Sequence, residues 1–238
     1  MKGLTKLALD IVIGAVVPIL ILNNLTKPLG APLAYVLAAL VPVAYVLIDT
    51  FFISRRFNVI TSYIALSAIM SGILAFWFVD GVLYAIKDTA SLVVSLIVFA
   101  GSLLIGKPIV KYFLMQGLNP DTPARADKLS RLMALPQLRR SLILATLFIA
   151  VETVLAGAVN FALNLNMVTA PFGGELFNQQ VAQVNAITRI AFPIASLVAF
   201  GLGFVLIFRA LYAVLPKSED KEQEGDLWPL IDQWEPAV

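Results

Sequence analysis

The chain has 238 residues, 60% hydrophobic and 13% charged, with net charge +2 and mean hydropathy +0.89. A soluble domain runs about 25% charged and 45–50% apolar, so this much apolar side chain needs lipid to face. The absence of cysteine and histidine excludes disulfides, thiol nucleophiles, Ser-His catalysis, His-ligated haem and most zinc or iron chemistry, and no metal or cofactor is expected.

A spanning helix takes about 20 mostly apolar residues. Six segments qualify, roughly 4–22, 31–53, 59–79, 83–105, 141–163 and 187–212. The expected fold is an all-α integral membrane protein, a bundle of six transmembrane helices, since no alternating polar-apolar strand pattern occurs. The first segment sets Lys2 and Lys6 before an apolar run, as a secretion signal does. Asp10 interrupts that run and no small-x-small cleavage site follows, so it reads as a retained span. The second ends near Asp49, and Arg209 has the same depth in the sixth. Asp10, Asp49 and Arg209 either form an interior ion cluster or pair locally at the interface.

The third and fourth segments carry small-residue ladders, Ser67-Ser71-Ala75 and Ser91-Ser95, which read as helix-packing glue, as does Ala195-Ala199-Gly203 in the sixth. The fourth is bounded outside by the polar pair Lys87 and Asp88, and inside by Gly106-Lys107-Pro108. The connection 106–140 follows, with Ile109 to Leu118 expected to lie along the membrane surface. The fifth segment contains Glu152. Helical spacing places Glu152, Ala156 and Asn160 on one face, continued by Ala145 and Ile149. A central acid costs roughly 2.5–3.5 kcal/mol on insertion scales, so Glu152 should face the bundle or a wet cavity. The outer loop holds Pro171 to Leu176, PFGGEL, which lacks the Lys-Ser/Thr of a phosphate-binding loop.

After Pro216 the composition turns acidic. The chain therefore divides into a transmembrane domain, 1–215, and a tail, 216–238, ending in the apolar anchors Trp228, Leu230, Ile231 and Trp234. These touch the membrane or dock on a protein, either a partner or a groove of the same bundle. Orientation follows from the bases: fourteen of seventeen Lys and Arg fall on the side that holds both termini and the 106–140 loop, so both termini are expected in the cytoplasm. Nucleic-acid binding is not expected, because no aromatic residues interleave with these bases.

Asp10 followed by Pro18, Lys87-Asp88 entering the fourth helix, Gly106-Lys107-Pro108 leaving it, and Asn160 late in the fifth resemble the bacterial intracellular septation protein A family over most of 1–215. The chain departs from that pattern in its longer basic loop, Glu152 and the acidic Trp-bearing tail. The resemblance implies a bacterial inner-membrane protein linked to envelope maintenance and division, with no established enzymatic activity. The residues themselves hold no catalytic constellation. The leading expectation is a non-enzymatic scaffold or accessory subunit, bound to a membrane-protein partner through its loop and tail. The alternative is a small secondary transporter using Glu152 as a protonatable group.

Overall fold

The computed structural model describes residues 12–53, 59–216 and 227–235, and helices are the only regular secondary structure among them. Asp10 and the start of the first expected span lie outside the described residues. A π-helical turn, Val12–Val16, leads into α1 (Val17–Asn24), followed by α2 (Thr26–Leu29) and α3 (Ala31–Ile48), which ends in a second π-helical turn, Asp49–Ile53. Then come α4 (Val59–Ala75), α5 (Gly81–Leu104), α6 (Val110–Leu118), α7 (Pro123–Leu132), α8 (Pro136–Met167), α9 (Glu175–Tyr212) and α10 (Trp228–Gln233).

Four segments are long and apolar enough to cross a membrane: Ala31–Phe52, Gly81–Leu104, Pro136–Met167 and Glu175–Tyr212. They coincide with the second, fourth, fifth and sixth expected spans. The other two expected spans correspond to shorter apolar helices, Val12–Asn24 and Ala65–Ala75. The outward faces of the long helices are apolar; Ile97 is 64% exposed and Leu197 72%. Water would penalise such faces and lipid does not.

Helix ends follow local chemistry. Gly106 has φ of 69°, its N–H donates to Leu103 O at 3.0 Å, and the Lys107 N–H donates to Ser102 O at 2.9 Å. That is a Schellman cap with glycine in the left-handed position and proline just beyond, so Gly106-Lys107-Pro108 is first of all a helix stop. Asn119, φ 45°, ends α6, and the Thr122 hydroxyl accepts the Arg125 N–H at 3.2 Å to start α7 with Pro123 in its first turn. The segment 106–140, read as a loop with one surface helix, thus folds into α6, α7 and the first turn of α8.

The chain forms two compact units, divided within α5, α8 and α9: residues 1–95 with 153–195, and residues 96–152 with 196–238. The first unit has a core of Leu22, Tyr35, Ala38, Tyr84, Val168, Phe177 and Val181. Its aromatic rings interlock edge to face, Tyr84 to Phe177 at 5.1 Å and Phe172 to Phe177 at 5.2 Å between centroids. Asn178, fully buried, donates to Thr26 Oγ1 and to Ala31 O, both at 2.9 Å, tying α9 to the α2–α3 junction. Asp80 accepts the Phe172 N–H at 3.0 Å and Gln180 accepts those of Thr169 and Ala170, which satisfies the backbone of the α8–α9 loop.

In the second unit α8 and α9 approach closely. A Cβ on Gly203 would meet the Ala145 Cβ at 2.9 Å, so glycine is required for that packing. Ala199 is buried beside it, whereas Ala195 is exposed, so the small face begins one turn later than its spacing suggests.

Candidate functional site

Within the first unit, α1, α3, α4, α5 and α9 surround a cavity of about 460 Å³. Its wall on α5 consists of Tyr84, Lys87, Asp88, Ser91, Leu92 and Ser95, residues three and four apart along one face. Opposite stand Tyr63, Ser67 and Ser71 of α4, and Asn185 and Arg189 of α9. Pro18, Leu22, Ala38, Pro42 and Val43 supply an apolar side.

Three charged side chains among the described residues share this space, and each is held differently. Lys87 is 4% exposed. Its ammonium donates to Trp77 O at 2.6 Å, one of the carbonyls left open past the end of α4, and sits 4.6 Å from the Tyr35 ring centroid and 5.7 Å from that of Tyr84. Asp88 turns to α8, where its Oδ2 accepts the Asn164 amide at 2.8 Å and the Asn160 amide at 3.0 Å. Asn160 also donates to Thr89 Oγ1 at 3.2 Å, and that hydroxyl donates to Ala85 O. Arg189 is different. No hydrogen bond or ion pair joins its guanidinium to any described residue, and Asp88 reaches it only through space.

Hydroxyls line the remainder. Ser95 Oγ donates to Ser91 O at 3.0 Å, so the Tyr63 hydroxyl is the donor in the 2.6 Å contact with Ser95 Oγ. The Ser67 hydroxyl is buried with no hydrogen-bond partner among the described residues.

No family model, curated protein or solved structure matches this chain.

The residues singled out by the sequence distribute unevenly over this geometry. Lys87 and Asp88, read as a polar pair at the outer rim of the fourth span, stand on the seventh and eighth positions of α5 because the helix begins at Gly81; both line the cavity. Asn160 is 4% exposed and belongs to the Asp88 network. Glu152 is not in the cavity wall; in the second unit it accepts the Ser196 hydroxyl at 3.0 Å, the helix-to-helix contact its spacing predicts. Asp49 belongs to the first unit and Arg209 to the second, and Asp10 lies outside the described residues. Arg189 and Asn164 carry no signal of their own in the sequence, each being a single polar residue beside the end of an apolar run. The signal for the cavity was present in α5: Tyr84, Lys87 or Asp88, Ser91 and Ser95 form one polar stripe. Read as packing glue, the serines concealed it.

The tail anchors sit on their own chain. Leu230, Ile231 and Trp234 are buried, and the Trp228 indole N–H donates to Leu118 O at 3.0 Å. Arg125 of α7 lies over the Trp228 ring at 5.0 Å and also binds the Asp232 carboxylate, while Lys128 donates to Asp232 O. The Asp232 carboxylate, with Asp121 beside it, raises the Arg125 guanidinium above its ordinary pKa. Ile231→Asp is expected to undock α10, seen as a red shift of tryptophan emission and faster proteolysis of the tail, with the melting of the membrane helices unchanged. Unaltered emission and proteolysis would show that the polar contacts alone hold the helix.

Proposed function

We propose that this protein is a small membrane transporter whose solute binds in the cavity of the first unit, between α4, α5 and α9. One observation supports this reading above the others: Lys87, Asp88 and Arg189 meet in a single cavity of a protein built from membrane-length apolar helices. Ionisable groups lining a cavity among membrane-length apolar helices are costly, and the ordinary reason to keep them is a solute or proton path. A concave site with a few convergent polar groups on apolar walls is also the usual form of a small-molecule site. Among the described residues Asp88 is the acid that lines this cavity, so the coupling role considered for Glu152 passes to Asp88. In this reading the chain crosses a bacterial inner membrane six times, with both termini in the cytoplasm, and the likeness to septation-type proteins concerns membrane architecture.

The scaffold reading keeps one favourable observation, the exposed bases Arg131, Arg139 and Arg140. The tail adds little to it, since its apolar anchors are already buried against the chain's own helices.

Because the chain has no cysteine, single introduced thiols report without background. In proteoliposomes, Ser71→Cys and Ser91→Cys are expected to react with a water-soluble methanethiosulfonate, while Val93→Cys, on the outward face of α5, stays unreactive. Thr169→Cys should label from outside and Asp127→Cys should not. Inert thiols at 71 and 91 would mean a sealed, dry interior and would end the transport reading. Outside labelling at 127 would reverse the orientation.

A further inference from the structure

We propose that the cavity's solute is a small organic acid whose single carboxylate seats on Arg189; this rests on the transport reading and names its substrate class.

Two charges of the cavity are already provided for. Lys87 has a backbone carbonyl and two aromatic faces, and Asp88 has two amide donors from α8. Arg189 has neither an acceptor nor an ion-pair partner among the described residues. A guanidinium carries five N–H donors in a rigid plane, and Arg189, half-buried, lines the cavity with those donors unpaired among the described residues. Natural sites leave such a group open when the ligand brings the acceptor. The planar fork matches a carboxylate or phosphate through two parallel hydrogen bonds.

Charge selects between those anions. Two cations against one carboxylate leave one positive charge in the cavity, which a monocarboxylate cancels. A phosphate monoester carries about −1.5 to −2 near neutral pH and would leave net negative charge beside Asp88. The rest of the wall is mixed: Pro42, Val43 and Leu92 offer apolar surface to a short carbon skeleton, and the Ser67 hydroxyl, without a partner among the described residues, offers one hydrogen bond near Ser71 and Ser91. A volume of about 460 Å³ accommodates a molecule of this kind and no macromolecule.

The test uses the purified full chain in lipid nanodiscs at fixed ionic strength. Acetate, L-lactate, pyruvate and benzoate are compared with inorganic phosphate, methylammonium and glycerol by thermal shift and calorimetry. At least one carboxylate is expected to raise the melting midpoint saturably, with phosphate, methylammonium and glycerol inactive. Arg189→Gln should weaken that carboxylate at least tenfold while remaining monodisperse and helical, and Arg189→Lys should retain part of the affinity. Should Arg189→Gln not fold, Arg189→Lys together with protection of Ser91→Cys by the carboxylate reads the same contact. Saturable binding of glycerol, methylammonium or phosphate alone would overturn the substrate class and leave the cavity as a solute site. No saturable response to any carboxylate, or unchanged affinity in Arg189→Gln, overturns the proposal. Inert thiols at 71 and 91 would remove the transport reading as well.

Discussion

Asp88→Leu is expected to be among the most damaging single changes in the first unit, costing about 3–5 kcal/mol, because removing one member of a partly buried charge group leaves the rest uncompensated. Its carboxylate takes the amides of Asn160 and Asn164, both buried, and leucine offers them no acceptor. Two cations, Lys87 and Arg189, would then face the cavity with no acid among the described residues of its wall. Asp88→Asn separates structure from function. Its carbonyl, in the place of Oδ2, can still accept both amides, so the helices should stay packed, but the charge is gone. The expected pattern is a melting midpoint in nanodiscs that falls sharply for Leu and slightly for Asn, with proton-coupled uptake lost in both. Equal melting of Leu and wild type would show that the asparagines find water or each other instead. Full uptake by the Asn variant would remove Asp88 from any coupling role.

Tyr84→Ala carries the second large effect. Tyr84 is 1% exposed, packs edge to face on Phe177 at 5.1 Å and faces Tyr35 at 6.4 Å. Truncating a buried aromatic to alanine costs about 3–5 kcal/mol where the surroundings cannot close the void. Collapse is hindered here because Phe177 is held by Tyr35 and Phe172 on its other sides. The same ring lies beneath the Lys87 ammonium and forms part of the cavity wall, so the deletion should also widen the cavity. Tyr84→Phe keeps the ring contacts and is expected to melt close to wild type. A Tyr84→Ala protein melting within a degree or two of wild type would mean that the aromatic group repacks freely.

Much of the architecture was legible because its causes are local. Apolar run length dictates which segments need lipid, and the four long helices lie where those runs lie. The caps were equally local, with Gly106 and Asn119 at positive φ and Thr122 ahead of Pro123. Run length misjudged boundaries where a cap or tertiary contact intervened. α9 begins at Glu175, twelve residues before the apolar run that announced it, since its first turns pack Phe177 and Asn178 into the protein and not into lipid. α4 ends at Ala75, where the chain turns and the Lys87 ammonium takes the Trp77 carbonyl.

The candidate site was not legible, and Glu152 shows why. A lone acid in the most apolar segment is the most conspicuous feature of the sequence, yet its partner is one serine on the neighbouring helix. Lys87 and Asp88 stood out as a polar pair at the edge of the fourth span, but nothing in the sequence joined them to Arg189. What composition and periodicity determine is the solvent each helix face prefers, because that preference is a property of the face itself. Which polar side chains share a cavity depends on how helices far apart in sequence are turned towards one another. Arg189 and Lys87 line one cavity from about a hundred residues apart in the chain, and only the packing of α5 beside α8 and α9 gave Asp88 its amide partner on α8 and left Arg189 without a hydrogen-bond or ion-pair partner among the described residues.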